Sequence, residues 1–126
     1  MKFNQLLTAI FSFTALSAAI QPPIPVLAQS PPNTCACITS EAAPQAGQKA
    51  RSSGNFSTQG CAANLRWSVP TPIVFDVAKD VSGGSDPTLY PGVTNDVVTV
   101  NPNERSLYIA NPRNAPGNFT VCAINQ

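Results

Sequence analysis

No histidine occurs among the 126 residues of the chain. That absence removes Ser-His-Asp and Cys-His catalysis, and with them every histidine-ligated metal site. The Ser-x-x-Lys spacing is missing too, as are the Asp-Thr-Gly and Asp-Ser-Gly triplets of aspartic proteases. Charge is scarce: 10% of residues are charged, seven basic against six acidic. The basic residues are scattered, so there is no electrostatic footprint for a phosphate backbone or an anionic lipid surface, and no nucleic-acid partner is expected. Long apolar runs are nearly absent as well. The exception, Leu6 to Ile20, is shorter than the ~20 residues that span a bilayer.

That run follows Met1 and Lys2 and precedes a polar, Pro-containing stretch, which is the layout of a secretory leader. Val26-Leu27-Ala28 puts small residues at the −3 and −1 positions, so cleavage is expected after Ala28, with a cut after Ala19 as the alternative. The expected division is a signal peptide at 1–28, a disordered lead-in at 29–34 and a single domain at 35–126. No membrane span should remain after cleavage, and the product should be secreted, periplasmic or held at the cell surface. Lys49, Arg51, Arg66, Lys79, Arg105 and Arg113 then balance Glu41, Asp76, Asp80, Asp86, Asp96 and Glu104.

Four cysteines remain: Cys35, Cys37, Cys61 and Cys122. An even count in a short exported chain reads as two disulfides. Cys35 and Cys37 stand at i and i+2, about 7 Å apart in an extended segment. That is the outer limit for a bridge, so each is expected to bond a distant partner, one Cys61 and the other Cys122. Which pairs with which is left open. Zinc is the rival, but Cys-Ala-Cys is tighter than the usual knuckle, and no cofactor is expected.

From Gly60 onward, prolines and glycines divide the chain into short runs rich in Val, Ile, Thr and aromatics. Leu65, Trp67 and Val69 alternate with Arg66 and Ser68, and Ile73, Phe75 and Val77 alternate with Val74 and Asp76. Further strands are expected at Asp96–Val100, Ser106–Ala110 and Asn118–Ile124. Asn-Pro turns at 101–104 and 111–114 should join these last three into a meander. The segment 40–60 reads as a loop, or as a short helix over Pro44–Ser52. The fold class is all-β: a small β-sandwich, immunoglobulin-like or Greek-key-like, with two disulfides. The strand count and the Cys-bearing last strand resemble immunoglobulin-like sandwiches in architecture, although the Cys spacing differs and the Trp follows Cys61.

Candidate sites are sparse. Asp76 with Asp80, or Asp86 with Asp96, are the carboxylate pairs that could run a glycoside hydrolysis, provided two acids converge within ~10 Å. Asp80, Ser82 and Asp86 lie on an oxygen-rich Gly-Gly turn of the kind Ca²⁺ accepts. Tyr108 is out of phase with Leu107 and Ile109, and Tyr90 lies between Pro87 and Pro91, so these two are expected to form an exposed contact patch. Trp67 alternates with the core. The sequons Asn55-Phe-Ser and Asn118-Phe-Thr matter in a eukaryotic secretory path. The reading is an exported, non-enzymatic module that binds a protein or glycan partner or is displayed structurally. Its alternatives are a secreted effector or inhibitor, and a minimal carboxylate hydrolase.

Overall fold

Runs that alternate apolar and polar residues become strands only where a second sheet can cover their apolar face. The computed structural model, which describes residues 32–43 and 50–126, shows how this chain meets that condition. The leader at 1–28, its cleavage site and most of the lead-in lie outside the described residues, as do positions 44–49 of the expected helical turns.

Seven strands form among the described residues: β1 (Thr34–Ser40), β2 (Asn64–Ser68), β3 (Val74–Lys79), β4 (Thr88–Val93), β5 (Val98–Val100), β6 (Leu107–Arg113) and β7 (Phe119–Asn125). They make a four-stranded sheet ordered β1-β7-β2-β5 and a three-stranded sheet ordered β4-β3-β6, and every pairing is antiparallel. Leu65, Trp67, Val121 and Ala123 of the first sheet and Phe75, Val77, Leu107 and Ile109 of the second share one core. Trp67 sits at its centre, fully buried, with Phe56, Phe75 and Tyr90 at ring-centroid distances of 6.3, 6.0 and 6.4 Å. Its indole N–H donates to Thr99 Oγ1 at 2.8 Å, so the one polar atom of the side chain is partnered.

The strand order corrects two expectations. An immunoglobulin domain pairs its first strand with its second and its last with its sixth. Here β7 lies between β1 and β2, so the connectivity is different. Nor do the last three strands form a meander: β5 pairs with β2, β6 with β3, and β7 with β1 and β2. β5, β6 and β7 alternate between the two sheets, each paired with strands distant in sequence.

Two further differences are local. β1 already begins at Thr34, inside the expected lead-in. β4 contains Tyr90 and Pro91, although the prolines at 87 and 91 point to a loop there. Proline is tolerated there because β4 is an edge strand, where a missing N–H need not break a ladder.

The segment from Ala50 to Thr58 is extended rather than helical. It forms a strap that joins the open side of the two sheets through isolated bridges Ser40↔Ser53, Arg51↔Ala110 and Phe56↔Leu107. Backbone bonds run from Glu41 N to Ser52 O (2.9 Å), Ser52 N to Ile109 O (3.1 Å) and Phe56 N to Leu107 O (2.8 Å). Where the ladder is irregular, hydroxyls fill in. Ser53 Oγ accepts from Ile109 N at 2.7 Å, and the buried Ser40 and Ser52 hydroxyls bond each other at 2.6 Å. Phe56 drops from the strap into the core against Trp67.

Both disulfides form, with the pairing Cys35–Cys61 and Cys37–Cys122. Cys35 and Cys37 do not bond each other. Cys37 stands directly opposite Cys122 in the β1–β7 register, with Cα atoms 4.1 Å apart, the close spacing of a non-hydrogen-bonded antiparallel pair. The other bridge ties β1 to the chain just beyond the strap, where no ladder connects them.

Candidate functional site

The six acids of the described chain are spread over the molecule, and the elements that carry them explain why. Asp76 is the central residue of the central strand of the smaller sheet, pointing away from the core. Both neighbouring strands bulge opposite it: β4 between the partners of Phe75 and Val77, and β6 between those of Val74 and Asp76. Gly92 (φ 66) and Asn111 (φ 48) supply the left-handed residues these bulges need. Asp76 Oδ1 accepts from Gly92 N at 2.8 Å and Arg113 Nη2 at 3.1 Å, while Oδ2 accepts from Asn111 Nδ2 at 2.9 Å. Burial would raise its pKa, but the Gly92 N–H, helped by Arg113 and Asn111, holds it below the ordinary carboxylate range. This acid is a clamp across three strands.

Asp80 begins the next loop. Its Oδ2 accepts from Asn55 Nδ2 at 2.9 Å and Arg51 Nη1 at 3.1 Å, and these partners lower its pKa. Arg51 also bonds Asn55 Oδ1, and its guanidinium lies 4.3 Å from the centroid of the Tyr108 ring. Asp86 closes the same loop by accepting from Val81 N at 3.0 Å and from the Tyr108 hydroxyl at 2.9 Å.

The carboxylate pairs therefore do not converge. Asp76 and Asp80 are i and i+4 along extended chain, about 13 Å apart by strand rise. Asp86 and Asp96 stand at opposite ends of β4, and Asp96 is bound to Arg66 at 2.7 Å. The calcium candidates fare no better. Asp80 turns Oδ2 to Asn55 and Arg51, Asp86 gives its two oxygens to Val81 N and the Tyr108 hydroxyl, and Ser82 is exposed on the turn between them. No group of three or more His, Cys, Asp or Glu that could hold a metal occurs among the described residues.

The tyrosine patch is also corrected. Tyr108 does point away from the core, as its phase requires, but it is buried at 8% exposure beneath Arg51 and beside Ala78 and Ala110. Burial is the first cause of its raised pKa, with the Asp86 hydrogen bond next. Tyr90 is half-buried against Trp67, and its hydroxyl reaches across to the Val100 carbonyl of the other sheet. The two rings serve different faces. Sequence phase cannot report a strap that folds over the outer face from forty or more positions away.

What the fold does gather is a set of loops that no motif announced. The β2–β3 turn (Pro70 to Ile73), the β4–β5 turn (Thr94 to Asp96) and the β6–β7 turn (Asn114 to Asn118) meet at one end of the molecule. Three shallow depressions of about 320 to 510 Å³ lie among them, and Pro72 lines all three. Pro70, Pro72 and Pro116 form mostly apolar walls, while Asn114, Asn118 and Asn95 place amide groups at the rims. Asn114 Nδ2 donates to Pro72 O at 3.4 Å, and Asn95 Oδ1 accepts from Val69 N at 3.2 Å, so the loops are tied to one another and to the strands. The sequence signal was there in the clustered prolines, but read locally it marked only turns. Comparison with protein-family models, curated proteins and solved structures found no match.

Proposed function

We propose that the protein is an exported, non-enzymatic binding module whose contact surface is the loop end around Pro72. A small all-β chain held by two disulfides, with no apolar helix long enough to cross a membrane among the described residues, fits an oxidising extracellular or periplasmic setting. The observation that carries the reading is the convergence of three loops on shared, largely apolar depressions at one end of a rigid two-sheet scaffold. Five of its six described acids, by contrast, are committed to ion pairs and hydrogen-bond donors.

A polypeptide suits this surface better than a sugar. Glycan sites commonly stack a ring on an exposed aromatic, and no described aromatic side chain here is exposed. Pro70, Pro72 and Pro116 instead offer rigid apolar ridges with amides at their rims, a fit for an extended chain with apolar side chains. The test is a displayed library of extended peptides and a glycan array, both probed with the disulfide-bonded protein. Peptide ligands should emerge and should lose at least about tenfold affinity with Pro116→Asp, a substitution on an exposed loop that leaves the melting temperature in place. Retention of every ligand by Pro116→Asp, or substrate turnover abolished by replacing one carboxylate, would overturn the assignment.

A further inference from the structure

The two bridges differ in what a nucleophile can reach. Ala36 and Ile38 of β1 pack toward the core, so Cys37 between them lies on the outer face and is exposed. Its partner Cys122 sits on β7 with strands on both sides, opposite Cys37 in β1 and Ser68 in β2, and is 7% exposed. The second bridge has no residue as open as Cys37. Cys35 and Cys61 are half-buried, and Cys61 packs against the core.

Thiol–disulfide exchange is an in-line displacement: the attacking sulfur must approach along the S–S axis, on the side away from the leaving sulfur. β1 is the outermost strand of its sheet, so Cys37 stands at the sheet margin. Cys122 stands one strand further in, flanked by β1 and by Ser68 of β2. Exposure and position in the sheet select the same atom.

From this we infer that Cys37–Cys122 is a thiol-exchange site, attacked by thiols and dithiols at Cys37 Sγ while Cys35–Cys61 stays closed. In the first step the attacking thiolate bonds Cys37 Sγ, the Cys37–Cys122 bond breaks, and Cys122 departs with the electron pair and takes up a proton from solvent. With a monothiol the product is a mixed disulfide on Cys37. With a dithiol, the second thiol displaces Cys37, the reductant closes to its own disulfide, and the pair is reduced to two thiols. The β1–β7 ladder, with six register partners from Thr34 to Ser40, still holds the first strand to the last. The Cys35–Cys61 bridge still anchors β1 to the chain beyond the strap.

The experiment exposes the purified disulfide-bonded protein briefly to glutathione or to dithiothreitol, quenches with an alkylating agent, and locates the label by fragment-ion sequencing. With dithiothreitol, Cys37 and Cys122 should be labelled at least about tenfold faster than Cys35 and Cys61, with the β circular-dichroism signal retained. At the earliest glutathione time points the adduct should lie on Cys37. In denaturant the two rates should converge, because the fold no longer governs access. Four results would each overturn the inference: earlier opening of Cys35–Cys61, simultaneous labelling of all four cysteines, a first adduct on Cys122, or a rate ratio unchanged in denaturant. The double variant C35S/C61S isolates the outer bridge and should leave its rate unchanged.

Discussion

Asp76 shows what one side chain can organise. Its two oxygens serve a backbone N–H in β4, an amide in β6 and the Arg113 guanidinium, so both bulges close on a single carboxylate. Its side chain is 12% exposed, against 46% for Arg113, so removing the acid leaves part-buried donors without their acceptor rather than a buried charge. Asp76→Ala should therefore cost about 2 kcal/mol, read from denaturant midpoints at pH 7. The sign of the pH dependence follows from its depressed pKa. The carboxylate's contribution is complete above the unfolded value of about 3.9 and is lost as pH falls below that toward the folded value. Asp76→Asn should flatten this acid limb, and an acid titration of stability that is identical in both proteins would refute the assignment. Trp67 offers a second residue-scale check. As the only tryptophan, and fully buried, it should emit as a shielded indole and resist acrylamide quenching until the chain unfolds.

At the scale of elements, the strap is the least regular part that still matters to the core. Its bridges are isolated, and hydroxyl groups replace several ladder bonds, so it should exchange its amides before β2, β3 and β7 do. Phe56 nevertheless belongs to the central aromatic group. Phe56→Ala should cost about 3 kcal/mol through the cavity it leaves beside Trp67. Ser53→Ala should cost about 1 to 2 kcal/mol, because the Ile109 N–H loses its acceptor in a buried setting. Equilibrium unfolding of the two variants tests both figures, and a Phe56→Ala protein as stable as the parent would mean the strap is dispensable.

For the whole molecule, the bridges close loops of sequence separation 26 and 85. In the chain-entropy model these contribute about 3.5 and about 4.6 kcal/mol, so losing either should lower the melting point by well over ten degrees. A chelator should leave the melting curve unchanged, since no metal-ligating group of acids and cysteines exists among the described residues. A shift with chelator would show that a bound ion has been overlooked.

The sequence by itself determined the class of the molecule: all-β, two disulfides, neither of them between Cys35 and Cys37, and Trp67 at the centre. Each of these rests on local physics that a single segment carries. Alternation assigns a strand its faces, and the reach of an i, i+2 pair forbids a direct bridge. The strand positions at 64–68, 74–79 and 119–125 follow from the same period-2 signal. Only the tertiary structure decided which strands pair, that Cys35 takes Cys61, that Tyr108 is covered and that three turns, two of them proline-bearing, meet at Pro72. These depend on contacts between segments far apart in the chain, made wherever two apolar faces best exclude water. Alternation tells a strand which side to bury, but it carries no information about the partner that will bury it.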